Sequence, residues 1–390
     1  MLGTSWSVRN YGWLLPALPA VRSTRCNMPS RFRSRRLRAK AVVLQNSEEG
    51  EAAVVTQAED FSKDWKDFGR CPPEIPPLVK RLIWEVKALE VELGEKLTFG
   101  GPRGCLQGRA KVAEEHRHRT FMGYLPDNEE RLQFFSARQV ACRILGCRGY
   151  LCKDCWLPLA DCMCAKVKKF PLWSGIQLWI YMHPKVSNSD FLRKNNSGKL
   201  LWQVFGNDST HLCVCGIEEQ ENAMWEAFRQ SGQGSIWYLY PEQGNTHINE
   251  INLPRQIKSQ MLECGKTKTT LNFILIDGTW TNSKMMVNRL QDRAGVTWKD
   301  QRMQSLSLTP EKHSVLHGLR PQPSLDRTCT AAATAQLLRE LDLKDELSGC
   351  ELGQAAAALD EGLKELLQAL TIRLEKSGRA GKLTQYFSNF

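Results

Sequence analysis

One stretch constrains the fold more than any other: Asn272-Phe-Ile-Leu-Ile-Asp277-Gly278-Thr279-Trp280. Its apolar run is continuous, rich in β-branched residues, and stops at once on Asp-Gly. A strand without polar alternation is buried on both faces, as strands are inside a parallel sheet covered by helices. From Thr281 onward Lys284, Met285, Met286, Val287 and Leu290 fall at helical spacing, so a helix follows. Asp277, Gly278, Thr279 and Trp280 then stand at the carboxyl end of a strand, the edge where open α/β sheets bind ligands. Gly278 is expected to permit a tight turn, and Thr279 or Thr281 to cap the helix.

Four further strands are expected around it. Ile176–Met182 ends on His183-Pro184, and a polar stretch with Arg193, Asn196, Ser197, Gly198 and Lys199 leads into a helical run to Phe205. Those side chains are donors in quantity, suited to a carboxylate or a phosphate. Leu212–Ile217 reads as a short strand whose Cys213 and Cys215 pack in the core. Ile236–Tyr240 closes on Pro241, and Gln304–Leu308 is the last. Helices are expected over Asn222–Arg229, from Thr330 to Leu341 with Thr330 as its cap, and over Glu351–Glu375. Free backbone donors at the Thr330 end would make an anion site.

Between the N-terminal half and this body lies Cys152-Lys-Asp-Cys155, then Cys162-Met-Cys164. Two close pairs separated by six residues can wrap one tetrahedral ion, with thiolates about 2.3 Å from zinc. Reduced thiols packed in a small core are the plainer alternative, and an iron–sulfur centre is the other ion class. Four cysteines fill the coordination sphere, so zinc here is structural and activates no water. Fourteen cysteines in all, five of them between Cys147 and Cys164, fit metal binding better than a secreted disulfide scaffold.

The formal charge of +11 is unevenly spread. No acid precedes Glu48, while nine cations do, leaving about +2 for the remainder. A leader rich in Arg, Ser, Ala and Leu and free of acids describes an organelle transit peptide, chloroplast before mitochondrion; a basic arm on RNA is the alternative. No run approaches the roughly 18 apolar residues of a membrane span. Pro76–Leu97 reads as an amphipathic helix and Asn128–Ile144 as another. Residues 99–128 give no clear pattern, and the basic cluster His116-Arg-His-Arg119 is read as a solvated loop more readily than an RNA contact.

The ordered set resembles the DTW-domain family: C-x2-C-x6-C-x-C, a strand ending His-Pro, Asn-Ser-Gly-Lys-Leu, a strand ending Tyr-Pro, Asp-Gly-Thr-Trp, and a Thr-Ala helix start. The resemblance covers about residues 147–341. It implies a SPOUT-like α/β fold, a mostly parallel sheet flanked by helices, preceded by the four-cysteine zinc-type module and carrying helical extensions. It implies transfer of the 3-amino-3-carboxypropyl group of S-adenosylmethionine to N3 of a uridine in tRNA. A SPOUT-type methyl transferase, or a zinc-stabilised RNA-binding protein without catalysis, are the other readings. Carried over residue by residue, Asp277, Thr279 and Trp280 are the catalytic candidates. His183, Arg193, Asn196, Gly198, Tyr240, Pro241, Gly278 and Thr330 are the donor-binding ones. Two departures stand out: Val186-Ser-Asn-Ser-Asp190 replaces the family's acidic-basic segment between His183 and Gly198, and Ala332 occupies the place of the family's glutamate at the last helix start. The expected layout is a leader over 1–47, an extension over 48–135, the cysteine module over 136–170, the catalytic domain over 171–345 and a helical tail over 346–390.

Overall fold

The structure, a computed structural model, describes residues 74–100, 105–184, 196–240, 244–254, 270–299, 301–309 and 328–376. The basic leader therefore lies outside the described residues. Two short strands, β1 (Thr98–Gly100) and β2 (Cys105–Gln107), form an antiparallel pair. Six more form one parallel sheet: β3 (Ile176–Met182), β4 (Thr210–Val214), β5 (Ile236–Leu239), β6 (Thr246–His247), β7 (Leu271–Asp277) and β8 (Gln304–Ser307). Their order is β4-β3-β7-β5-β8-β6. The expected central strand is thus central: β7 pairs with β3 along its whole length and with β5 over four residues.

Alternation along β7 builds two cores. Phe273 and Leu275 face one, with helices α4 (Lys199–Phe205), α7 (Thr330–Asp342) and α8 (Leu352–Lys376). Ile274 and Ile276 face the other, with α5 (Glu218–Ser231) and α6 (Trp280–Thr297). Phe273 is fully buried, so its replacement by Ala costs about 3–5 kcal/mol. The single polar residue in this run, Asn272, is also fully buried and fully used. It accepts from Trp179 Nε1 at 2.9 Å and donates to Ser231 Oγ at 2.9 Å.

Three helices precede the sheet: α1 (Pro77–Leu93), α2 (Arg109–Met122) and α3 (Asn128–Gly146). Helix α1 ends four residues before the expected Leu97, because Gly94 takes a left-handed cap (φ 62°) whose N–H reaches the Glu90 and Val91 carbonyls. Asp127 caps α3, its carboxylate accepting from Glu130 N at 2.7 Å. Both helices pack into the same core as α4, α7 and α8, so that core runs continuously from Val79 to Leu370. The basic segment at 116–119 is helical, where a solvated loop was expected. Strand β4 stops at Val214, three residues short of expectation, because Gly216 turns the chain with φ 86°. No helix among the described residues is long and apolar enough to cross a membrane.

Candidate functional site

Parallel pairing puts the ends of β3 and β7 side by side. Met182 is in register with Asp277, and the next backbone N–H, that of His183, donates to the Asp277 carbonyl at 2.9 Å. The Asp277 carboxylate, by alternation on the α7 face, gathers two distant segments. Its Oδ2 accepts from Asn196 Nδ2 at 2.9 Å and from Thr330 Oγ1 at 3.2 Å. Asn196 Oδ1 in turn accepts from Lys199 N at 3.3 Å, and Ser197 Oγ accepts from Ala331 N at 3.2 Å. Gly198 is required for space: a Cβ there would lie 3.0 Å from Asp277 Oδ2 and 3.2 Å from Asn196 Oδ1.

The Asp-Gly-Thr-Trp turn is equally tied down. Thr279 is the cap of α6, its hydroxyl accepting from Asn282 N at 3.4 Å while its carbonyl receives Ser283 N at 2.8 Å. Gly278 stands in the turn from β7 to α6, as expected, without a left-handed conformation. Its role is clearance, since a Cβ would meet Met286 Sδ at 3.3 Å and Ser283 Oγ at 3.4 Å. His183 is buried against this turn, and Asn282 Nδ2 lies 3.0 Å from its Nδ1. An amide NH2 can only donate, so Nδ1 is the acceptor and a neutral ring carries its proton on Nε2. Asn282 was not singled out in the sequence; the only signal was its place one turn into the helix, on the face of the cap.

The structure thus brings together His183, Asn196, Gly198, Asp277, Gly278, Thr279 and Thr330. Arg193 and Pro241 lie outside the described residues, as does the Trp280 side chain. Tyr240 packs against the core on the α5 and α6 side, and its carbonyl accepts from Asn245 Nδ2 at 2.7 Å. Two expectations need correction. Cys329, not Thr330, is the cap position of α7, and it makes no side-chain cap bond. Thr330 is the first helical residue, which frees its hydroxyl for Asp277. The Ala331 N–H, expected to help bind an anion, is taken by Ser197.

The second correction concerns Lys199, expected to meet a carboxylate or phosphate. It is fully buried beneath the cysteine module, and its Nζ donates to the Cys155 carbonyl. Burial pushes its ammonium down to about 7.

Above it, the sulfurs of Cys152, Cys155, Cys162 and Cys164 all lie within 4.8 Å of one another. Cys152 and Cys164 are 3.6 Å apart, Cys155 and Cys162 3.8 Å. A tetrahedron with zinc–sulfur bonds of about 2.3 Å has edges of about 3.8 Å, so the quartet can hold one such ion. Hydrogen bonds among the sulfurs pull Cys152 down but push Cys155 up to about 11 and Cys164 further. A bound dication is what lets all four ionise together. Gln203 Nε2 reaches Cys164 Sγ at 3.4 Å, and Arg373 Nη1 holds Asp161, beside Cys162, at 2.7 Å. Trp156 bridges the pairs with a positive φ of 57°, a strained conformation for an aromatic residue that Arg143 and Lys199 hold from either cation. The module is thus fastened to both α4 and α8.

Comparison with known proteins gives one family: the DTW domain model matches residues 149–375. No curated protein matches, and no solved structure matches. The matched segment is more than half of the chain and extends beyond the motif-bearing region through α8. The chain belongs to the DTW-domain family, and this membership points to a role in tRNA modification.

Proposed function

We propose that this DTW-domain protein is a tRNA-uridine aminocarboxypropyltransferase. The observation that carries the reading is the Asp277 carboxylate, half-buried at the carboxyl edge of the central strand and oriented by Asn196 and by Thr330 at the start of α7. S-adenosylmethionine is the donor in this reading, its sulfonium activating the adjacent carbons. Which carbon reacts depends on which the acceptor approaches in line, so the site must present the γ-methylene and turn the methyl away. Uridine N3–H is weakly acidic and needs a base as its nitrogen attacks. Asp277 takes that proton. The N3–Cγ bond forms as the Cγ–S bond breaks, and sulfur keeps the bonding pair as a neutral thioether.

The other residues prepare this step. Asn196 and Thr330 fix one carboxylate oxygen, and Gly198 leaves room for it. Asn282 holds His183 with its proton on Nε2, a donor suited to the donor's carboxylate. Thr279 fixes the α6 start and with it the backbone of Trp280, whose indole is the candidate stacking partner of uracil or adenine. In this reading the cysteine quartet binds zinc structurally and holds α4, on which Asn196, Ser197 and Gly198 abut. A SPOUT-like relationship is supported by the all-parallel sheet with β7 inserted between two earlier strands. The acid-free leader supports import into an organelle, the chloroplast before the mitochondrion.

The test is nucleoside mass spectrometry of an unmodified tRNA transcript incubated with the protein and S-adenosylmethionine. The expected product is an aminocarboxypropyl uridine, with Asp277→Asn lowering its rate by about 10²–10⁴-fold. A methylated product, or none, sinks the transferase reading. Parental rates in Asp277→Asn remove that residue from the chemistry.

A further inference from the structure

We propose that the outward face of α1 and α2 is an RNA-docking surface. The proposal rests on the tRNA reading above but uses none of its catalytic residues. These two helices precede the segment matched by the family model.

The first observation is a sorting of charge. Helices α1 and α2 together carry seven cations and five acids. Two of the acids are turned inward and buried. Glu90 pairs with Arg148 at 2.6 Å, and Glu114 with Arg138 of α3. The two helices are left with seven cations against three acids, and Glu95, just past α1, takes Arg109 at 2.8 Å. Two of those acids are each shared: Glu85 by Arg81 and Arg117, Glu115 by Lys111 and Arg119. Arg119 remains 80% exposed and Arg117 54%. A polyanion can enter such a field by displacing half-used carboxylates, which a neutral or basic partner cannot.

The second observation is aromatic. Tyr124, just past α2, is 80% exposed and Trp84 on α1 is 58% exposed. Exposed flat rings are what unpaired bases stack on, with little regard for sequence, and Lys87 Nζ lies 5.9 Å over the Trp84 ring. Helix α2 buries only Ala110 and Glu114, so it contributes little to the core. Instead Arg109, Val112, His116 and Arg119, at helical spacing, form one outward stripe. Part of it lines an open groove of about 730 Å³ with Leu93 and with Glu95, the carboxylate paired to Arg109.

The third observation is position. The turn at Tyr124 leads straight into α3, whose Ser136 donates to the Cys215 carbonyl at 2.7 Å. Cys215 is the residue after β4, at the same edge of the sheet as Asp277. The helix that follows the stripe is thus tied to the carboxyl edge of the sheet.

The experiment is fluorescence anisotropy of a labelled, unmodified tRNA transcript with the full chain, at several salt concentrations. Arg117→Glu/Arg119→Glu is expected to weaken binding at least tenfold and to lower the salt slope by about two. Tyr124→Ala, which removes an exposed ring and no ion pair, is expected to weaken it about tenfold. Calorimetric binding of S-adenosylmethionine and the thermal midpoint should stay at parental values in both. Parental affinity and salt slope in both variants overturn the surface. So does a parent chain that binds phosphatidylserine vesicles or polyglutamate more tightly than the transcript. A chain that binds RNA through this face but makes no aminocarboxypropyl uridine overturns the proposed activity alone. Product formed with unchanged KM for tRNA in the variants overturns the surface alone.

Discussion

Asp277 and Glu221 are carboxylates near the same edge of one sheet, on opposite faces, and they are held in different ways. Glu221 is 3% exposed and takes a fork from Arg289, at 2.9 Å from Nε and 2.7 Å from Nη2. Tyr181 O–H adds a third bond at 2.6 Å, and burial pushes that phenol well above its ordinary range. Arg289 also pairs with Glu129, so one guanidinium ties together α3, α5 and α6. Asp277 is only half-buried and is gripped by the amide of Asn196 and the hydroxyl at the first residue of α7. A guanidinium fork inside a core fixes a charge and withdraws it from chemistry. Short donors at a sheet edge orient a carboxylate while leaving it reachable.

The largest expected effect comes from the support behind the Asp277 face. Structural zinc in small sites contributes about 10–16 kcal/mol of apparent binding free energy at neutral pH. Chelation, or Cys155→Ser, should therefore lower the thermal midpoint more than any other single change and abolish transfer with it. Unchanged unfolding in protein shown by metal analysis to be zinc-free would reduce the quartet to packed thiols. Next is Arg289→Ala, which strands the buried Glu221 carboxylate and should cost about 3–5 kcal/mol in urea unfolding. Asp277→Asn, by contrast, should leave unfolding within about 1 kcal/mol of the parent, as substitutions outside a buried ion pair do. If the two variants lose stability equally, the distinction between bolt and base fails. The smallest effect is Asn282→Leu, which deletes one hydrogen bond worth about 1 kcal/mol and should slow transfer about fivefold. Nitrogen NMR of His183 should then report a mixture of ring tautomers; a single unchanged tautomer would show that Asn282 does not position the ring.

Much of this was legible from the residues themselves. The unbroken apolar run at 273–276 announced a strand covered on both sides, and its sharp stop placed Asp277 at a ligand-binding edge. The spacing of four cysteines announced their convergence. Lys199 was misread because its neighbours are polar; that it turns away from them, toward the Cys155 carbonyl, is decided by tertiary packing. Helix α2 was invisible because it buries almost nothing, so no apolar stripe marks its period. Strand β6, two residues long, is too short to carry any alternation. At α7 the adjacent Cys329 and Thr330 could not be told apart as caps, since the side chain that decides it is Asp277, 53 positions before Thr330.

Gly198 and Lys199 are chain neighbours with unrelated neighbourhoods: one faces the Asp277 oxygen, the other donates to the Cys155 carbonyl beneath the cysteine module. A single peptide bond spans two duties. Misassembly of the module would therefore not produce a fragile but working protein. It would tilt the very link against which the carboxylate rests, and the proposed transfer would be lost from the start.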